Sequence, residues 1–327
     1  MDKYINQFPE QLAEALRLAE GISVLHPATP VHNVIISGMG GSGIAGILLS
    51  EILADSLQVP MQVVNDYHLP AYANAHTLVI CSSYSGETEE TLSALQDAMQ
   101  KKCSIVCVCT GGRMQKIAEE AGIPVVNMPG GMPPRSCLGY SLVLQLAVLH
   151  AMQLAPDTKE QIITAAALLS GAQKKIQEIA LDASAVVVGA TPVIYTGQQN
   201  NGIGIRWKQQ INENAKMHCF QHSIPEMNHN ELVAYQFEDE RFGVLFLHTG
   251  METERITHRM ALSKRLMEPH AAYFLDFTAE GDSYIERMFY LIHLGDWLSY
   301  YLSELKEVNA VDIAILEHFK EQMRHGR

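Results

Sequence analysis

Between residues 31 and 129, short runs of β-branched and aliphatic residues alternate with stretches whose apolar positions fall at helical spacing. VHNVIIS (31–37), MQVVN (61–65), TLVICSS (77–83), SIVCVCT (104–110) and IPVVNMP (123–129) read as strands. GIAGILLSEILA, TEETLSALQDAMQ and GRMQKIAEEAG between them read as helices, and an amphipathic helix opens the chain. This is the βαβ pattern. It predicts an α/β fold with a parallel sheet and helices on both faces, which is a three-layer αβα arrangement. Sheets of this kind take their ligands at the carboxyl ends of the strands.

The apolar run YSLVLQLAVLHAMQL (140–154) reads as a buried helix, and ITAAALLSGAQKKIQEIA continues helically beyond Pro156. The theme then repeats. SAVVVGATPVIYTG (184–197), FGVLFLHTG (242–250) and AAYFLDFT (271–278) read as strands, GIGIRWKQQINENAK as a helix, and a last helix spans about Ser283 to Leu305. The repetition predicts two αβα domains with parallel sheets, residues 1–153 and 154–327, related by internal duplication. Only the first half carries clustered glycines and serines in its turns, so the anion site is expected there.

Composition narrows the function classes. Hydrophobic residues make up 47% and charged residues 18%, and no apolar run reaches the roughly 18 residues of a membrane span. The opening MDKYINQFPEQLAEALRLAEG lacks the basic and apolar regions of a secretory signal, so a cytoplasmic protein is expected. The six cysteines show no C-x-x-C spacing and read as reduced thiols. A formal charge of −13 excludes nucleic acid and acidic membranes as partners, because both require clustered Lys and Arg. An anionic substrate must then be held locally, by backbone N–H groups, hydroxyls and one or two placed cations.

Directly after the first strand, Gly38-Met39-Gly40-Gly41-Ser42-Gly43 opens onto a helix. Glycines let backbone N–H groups approach an anion at the positive end of the helix dipole. Read as G-x-G-x-x-G the turn also fits a dinucleotide site, for which Asp66 is the available ribose-binding carboxylate, although it lies further along than such sites place it. Ser82-Ser83-Tyr84-Ser85-Gly86-Glu87-Thr88 stands in the same setting after the strand TLVICSS. Its hydroxyls, Ser83, Ser85 and Thr88, exceed what a helix cap needs and make a neutral nest for phosphate oxygens.

With both G-M-G-G-S-G and S-Y-S-G-x-T intact, the chain resembles the sugar isomerase (SIS) fold, and specifically the bifunctional phosphoglucose/phosphomannose isomerase family. The resemblance implies two SIS-type, flavodoxin-like domains and a hexose 6-phosphate substrate. It also implies that Ser42, with Gly41 beside it, and Ser83, Ser85 and Thr88 hold the phosphate.

Further blocks continue the resemblance. Pro129–Tyr140 is a rigid turn presenting Arg135, whose planar guanidinium suits an enediolate, and it matches the family's P-x-R-x-x-x-G-Y. Moving a proton between adjacent carbons needs one base facing both. Glu213, in the match to Q-x-N-E-N-x-K, is that base by resemblance. His229, among polar neighbours in PEMNHNEL, is by resemblance the group that opens the sugar ring, an imidazole being able to take up and release a proton. The family implies that it reaches the site from a partner protomer, making the active species a homodimer. The segment 308–320 resembles the family's closing D-P-x-x-x-x-x-I-x-x-L-K, with Lys320 as a cation near the ring oxygen. Here Ala310 replaces Pro, and Ile313 stands where some members carry a small polar residue, which bears on the mannose 6-phosphate activity.

These readings describe an isomerase of glucose 6-phosphate and mannose 6-phosphate with fructose 6-phosphate, working through a cis-enediol. No metal and no organic cofactor is expected, since the fourteen histidines show neither H-E-x-x-H nor H-x-x-E-H spacing. A non-catalytic sugar-phosphate sensor and an aminotransferring or deaminating enzyme of the same fold are the alternatives.

Overall fold

The structure, a computed structural model, describes residues 1–22, 27 and 29–325. The chain opens with α1 (Asp2–Asn6) and α2 (Phe8–Ala19) and then alternates β1 (Asn33–Ser37), α3 (Gly40–Ile52), β2 (Met61–Val64), β3 (Thr77–Ser83), α4 (Glu89–Gln100), β4 (Ser104–Cys109), α5 (Gly112–Glu120) and β5 (Val125–Asn127). Helices α6 (Leu138–Ala151) and α7 (Lys159–Val187) follow. A second series runs β6 (Thr191–Gly197), α8 (Asn201–Ala215), β7 (Phe220–Ile224), β8 (Phe242–His248), α9 (Glu254–Met267), β9 (Phe274–Thr278), α10 (Tyr284–Leu305) and α11 (Ala314–His325). No helix among the described residues is long and apolar enough to cross a membrane.

Two compact units share the chain, and neither is continuous in sequence. The first is Asn6–Gly171 with Glu280–Tyr290; the second is Met1–Ile5, Ala172–Ala279 and the chain from Leu291 onward.

In the first unit the five strands pair in parallel in the order β2-β1-β3-β4-β5. β3 is buried at every position because both its faces are covered, and its sequence is correspondingly apolar along most of its length. Ile35, Val79, Cys107 and Cys109 form one core layer with Leu92, Leu95 and Met114 from the helices. Helix α6 is buried nearly all round, from Leu138 to Leu149, which accounts for its lack of a polar face.

In the second unit four parallel strands take the order β7-β6-β8-β9. The α/β fold with parallel sheets expected from the periodicity is therefore found in both series. Residues 184–187, read above as the start of a strand, instead close α7. Ile176, Ala180, Ala183, Ser184 and Val187 are all buried at intervals of three and four, so one helical face continues through the valines and packing overrides their β preference. Strand β7 and helices α9 and α11 are not among the elements that the pattern predicts; β7 reads FQHSI, with polar residues inside its span.

His293 of α10 is wholly buried, its Nε2 2.7 Å from Gln173 Oε1 and 3.3 Å from Trp297 Nε1. Burial pulls its imidazole down to about 3. As pH falls below about 6.5, the unfolded chain takes up a proton that the folded imidazole refuses until far lower pH. Stability is therefore lost with falling pH, by up to about 1.4 kcal/mol per pH unit from this group. His293→Gln is expected to flatten the fall of the urea midpoint between about pH 6.5 and 4. An equally steep fall in the variant would assign the effect to other groups.

Candidate active site

In the first unit the strand order reverses direction between β1 and β3. Chains leaving adjacent strands toward opposite faces open a crevice at their carboxyl ends, where such folds bind ligands. The two hydroxyl-bearing turns follow these two strands, which pair in register from Asn33↔Thr77 to Ser37↔Cys81.

The first turn is held by close backbone packing. A Cβ on Gly38 would stand 2.8 Å from Ser82 O, and one on Gly41 would stand 3.1 Å from Pro134 O and 3.7 Å from Arg135 Cα. Gly41 thus lies against the turn that carries Arg135. Ser42 is buried in the first turn of α3, behind Met39 at the N-cap, which has no side chain able to cap the helix. Asp66 is exposed and accepts from the amide of its own neighbour Tyr67 at 2.6 Å.

In the second turn Ser83 Oγ and Thr88 Oγ1 lie 2.9 Å apart and share a hydrogen bond, and Gly86 N donates to Ser83 Oγ at 3.1 Å. Ser85 is exposed, and its hydroxyl accepts from Glu87 N at 3.2 Å. Thr88 occupies the N-cap of α4 without bonding the helix amides, so its hydroxyl serves the turn and not the helix end. Glu87, the one carboxylate of the turn, accepts from Arg113 N at 2.8 Å and Arg113 Nε at 2.7 Å. The Arg113 hydrogen bond holds it below the usual carboxylate range.

Arg135 sits on a 3₁₀ turn, Pro134–Ser136, and is only 3% exposed, which excludes a free surface arginine. Helix α2 and the second turn both support this segment. Gln11 Nε2 donates to Ser136 O at 2.7 Å, Tyr140 Oη donates to Glu14, and Met132 N donates to Tyr84 Oη at 2.9 Å. Burial and the Glu14 carboxylate push the Tyr140 phenol far above its ordinary range, so it remains a donor. Sequence reading missed the roles of Gln11 and Glu14; a buried Gln on the packed side of α2 is the signal that would have found them.

The remaining residues belong to the second unit. Glu213 is half-buried in the last turn of α8. The helix stops at Lys216 in a left-handed cap (φ 54°), whose Nζ donates to Glu213 O at 2.6 Å and Asp312 O at 2.8 Å. His229 is exposed on a 3₁₀ turn, Glu226–His229, pinned by Asn228 Nδ2 donating to Ser263 Oγ at 2.8 Å. Lys320 is exposed on α11. Ile313 lines an open groove of about 640 Å³ with Asn212, Lys216, His218 and Phe220. The structure thus gathers Gly41, Ser42, Ser83, Thr88 and Arg135 through direct packing and hydrogen bonds in the first unit, with Ser85 on the same turn, while Glu213, His229 and Lys320 stand on three separate elements of the second.

In the second unit, the point between β6 and β8 that matches the crevice between β1 and β3 carries a carboxylate of the chain itself. Glu252 accepts from Asn200 Nδ2 (2.7 Å), Thr249 N (2.7 Å), Thr249 Oγ1 (2.8 Å) and Gly250 N (2.9 Å). The donors of a strand-to-helix turn are there consumed internally.

A family model, the bacterial phospho-glucose isomerase C-terminal SIS domain, matches residues 173–323. The C-terminal domain of glucosamine-fructose-6-phosphate aminotransferase from Francisella tularensis superposes with a TM-score of 0.74 at 15% identity, over 95% of this chain and 96% of that one. The fold is thus shared, with two parallel-sheet α/β units, and the matched family model places a sugar isomerase (SIS) domain at residues 173–323. A bifunctional phosphoglucose/phosphomannose isomerase from Caldicellulosiruptor bescii is 34% identical over 334 residues, covering 99% of this chain and 98% of the relative. One from Aquifex aeolicus is 35% identical over 301 residues, covering 90% and 92%. The chain belongs to the bifunctional phosphoglucose/phosphomannose isomerase family.

Gly86 has φ +64°, and a Cβ there would drive into Gly111 O. Gly122 has φ +68° with open space around it. Gly122→Ala is expected to cost about 1–2 kcal/mol from the left-handed backbone alone, and Gly86→Ala at least about 3 kcal/mol, both read from urea unfolding. Equal costs would mean that the turn yields without strain.

Proposed function

We propose that the protein is an aldose–ketose isomerase that interconverts glucose 6-phosphate and mannose 6-phosphate with fructose 6-phosphate. The observation that carries the reading is the packing of the G-M-G-G-S-G turn against the buried Arg135 turn, in a chain that matches named isomerases of this type along nearly its whole length. In a protein of net charge −13, a nest of amides and hydroxyls with one buried guanidinium binds a sugar phosphate by local donors in place of a long-range field.

Ser42, Ser83, Ser85 and Thr88, with the Gly41 amide, hold the phosphate. His229, with Lys320, assists ring opening by moving a proton between O1 and O5. Glu213 then takes the proton from C2 of the open-chain aldose to leave a cis-enediolate, the O2 proton passes to the adjacent O1, and Glu213 returns its proton to C1, giving the C2 ketone; Arg135 stabilises the oxygens as charge develops. For mannose 6-phosphate the intermediate rotates about C2–C3 before reprotonation, so one base serves both epimers.

We also propose that the enzyme works in the cytoplasm, a reading supported by its six free cysteines. A homodimer with His229 supplied across the interface is supported by the exposure of His229 and of the apolar Val233 (71%) and Phe237 (73%) beyond it in the chain.

Glu213→Gln is expected to lower kcat for fructose 6-phosphate by at least about 10³-fold while sugar-phosphate binding persists. Binding without turnover in the wild type, for both epimers, would replace the isomerase by a sensor. Co-expression of Glu213→Gln with His229→Ala separates shared from private sites. If His229 serves the partner's site, about a quarter of wild-type activity returns in the mixed population, and none returns if each protomer uses its own.

A further inference from the structure

Helix α8 presents a polar ladder to α10 that lies next to Glu213 and that the mechanism does not use. Arg206, Gln210 and Asn214, four residues apart, share one helical face and are each no more than 1% exposed. Arg206 Nε and Nη2 donate to the two oxygens of Asp296 at 3.2 and 2.9 Å, and Gln210 also hydrogen-bonds that carboxylate. Asn214 Nδ2 donates to Ser299 Oγ at 2.9 Å, and Ser299 Oγ donates to Asp296 O at 2.7 Å. Beside the ladder Trp207 Nε1 donates to Leu291 O at 2.7 Å. A Cβ on Gly295 would meet the Trp207 indole, so the two helices are in close contact at this level.

A pair of apolar faces would hold α8 on α10 equally well, and a buried ion pair adds little net stability over such packing. What directional bonds add is a fixed rotation and height. An apolar face tolerates a helix sliding or turning by a few tenths of an ångström, whereas a two-pronged guanidinium–carboxylate contact and an amide–hydroxyl contact two turns later do not. Glu213 lies one residue from Asn214 and three from Gln210, so its Cα is set by those same bonds.

We infer that Asp296, with Asn214 and Ser299, is a positioning element for the reaction, locking α8 so that Glu213 faces both C1 and C2 of the substrate. The inference rests on the reading of Glu213 as the proton shuttle. One base must reach two carbons in one bound substrate, and a displacement of about 1 Å can cost roughly 10²-fold in rate, so the tolerance at Glu213 is narrow.

The test uses the full chain and four variants: Asn214→Ala, Ser299→Ala, the double variant, and Asp296→Asn, which keeps the shape and removes the charge. kcat and KM for fructose 6-phosphate are measured from pH 5 to 9 and scaled to folded protein, alongside thermal midpoints. Positioning predicts that Asn214→Ala and Ser299→Ala each lower kcat by about 10–100-fold with KM within about twofold. It also predicts a displaced acidic limb of the kcat profile and a double variant no worse than either single. A purely structural role lowers the thermal midpoint and leaves kcat per folded molecule and its pH profile unchanged, which would overturn the inference. Asn214→Ala leaves the ion pair in place, so the test stands even where Asp296→Asn does not fold. Glu213→Gln runs in parallel. If it retains turnover, the shuttle reading fails; if it is inactive while the ladder variants keep wild-type kcat, only the positioning inference fails.

Discussion

The crevice between β1 and β3 depends on backbone standing where side chains would otherwise be. Parallel strands that send their chains to opposite faces leave a gap at their carboxyl ends, but the gap is useful only if donors converge across it. Here Gly38 packs where a Cβ would sit 2.8 Å from Ser82 O, and Gly41 packs where one would sit 3.1 Å from Pro134 O. Any side chain at either point would drive the first turn away from the second or from the Arg135 segment. These two contacts seat the first turn against the end of β3 and against the Arg135 segment.

The second unit shows what the same backbone plan becomes with a different turn sequence. After β8 the chain reads Thr249-Gly250-Met251-Glu252, and Glu252 takes up the turn donors together with Asn200 Nδ2. After β3 the carboxylate at the matching point of the turn, Glu87, pairs with Arg113, and the amides of Gly86 and Glu87 donate to the hydroxyls of Ser83 and Ser85. The two turns thus differ in whether their own acid or their own hydroxyls take up the turn amides.

The α8 ladder illustrates a related economy of polar groups. Buried Gln210 and Asn214 are costly in isolation and tolerable only because α10 answers them with Asp296 and Ser299. Burial pushes the Asp296 carboxyl above its usual range while Arg206 pulls in the opposite direction. The polar side of α8 formed by Arg206, Gln210 and Asn214 is therefore among its most buried.

By itself the sequence determined the strands and helices of the first sheet to within about three residues at each end, because alternating apolar runs and helical spacing are local signals. It also determined which turns bear the hydroxyls, since strand, glycine and serine follow one another directly in the chain. Tertiary structure alone decided the rest. Residues 184–187 are helical because a buried face continues through them, β7 is a strand because β6 pairs with it, and Arg135 is buried because α2, more than a hundred residues earlier, bonds its turn through Gln11. Gln210 and Asn214 stand in a motif that the sequence shows, but only the packing of α10 supplies their burial and partners. Periodicity reports what a segment does with its near neighbours, whereas burial and hydrogen-bond partners are set by contacts between residues far apart in the chain, and no local pattern encodes which distant donor will arrive.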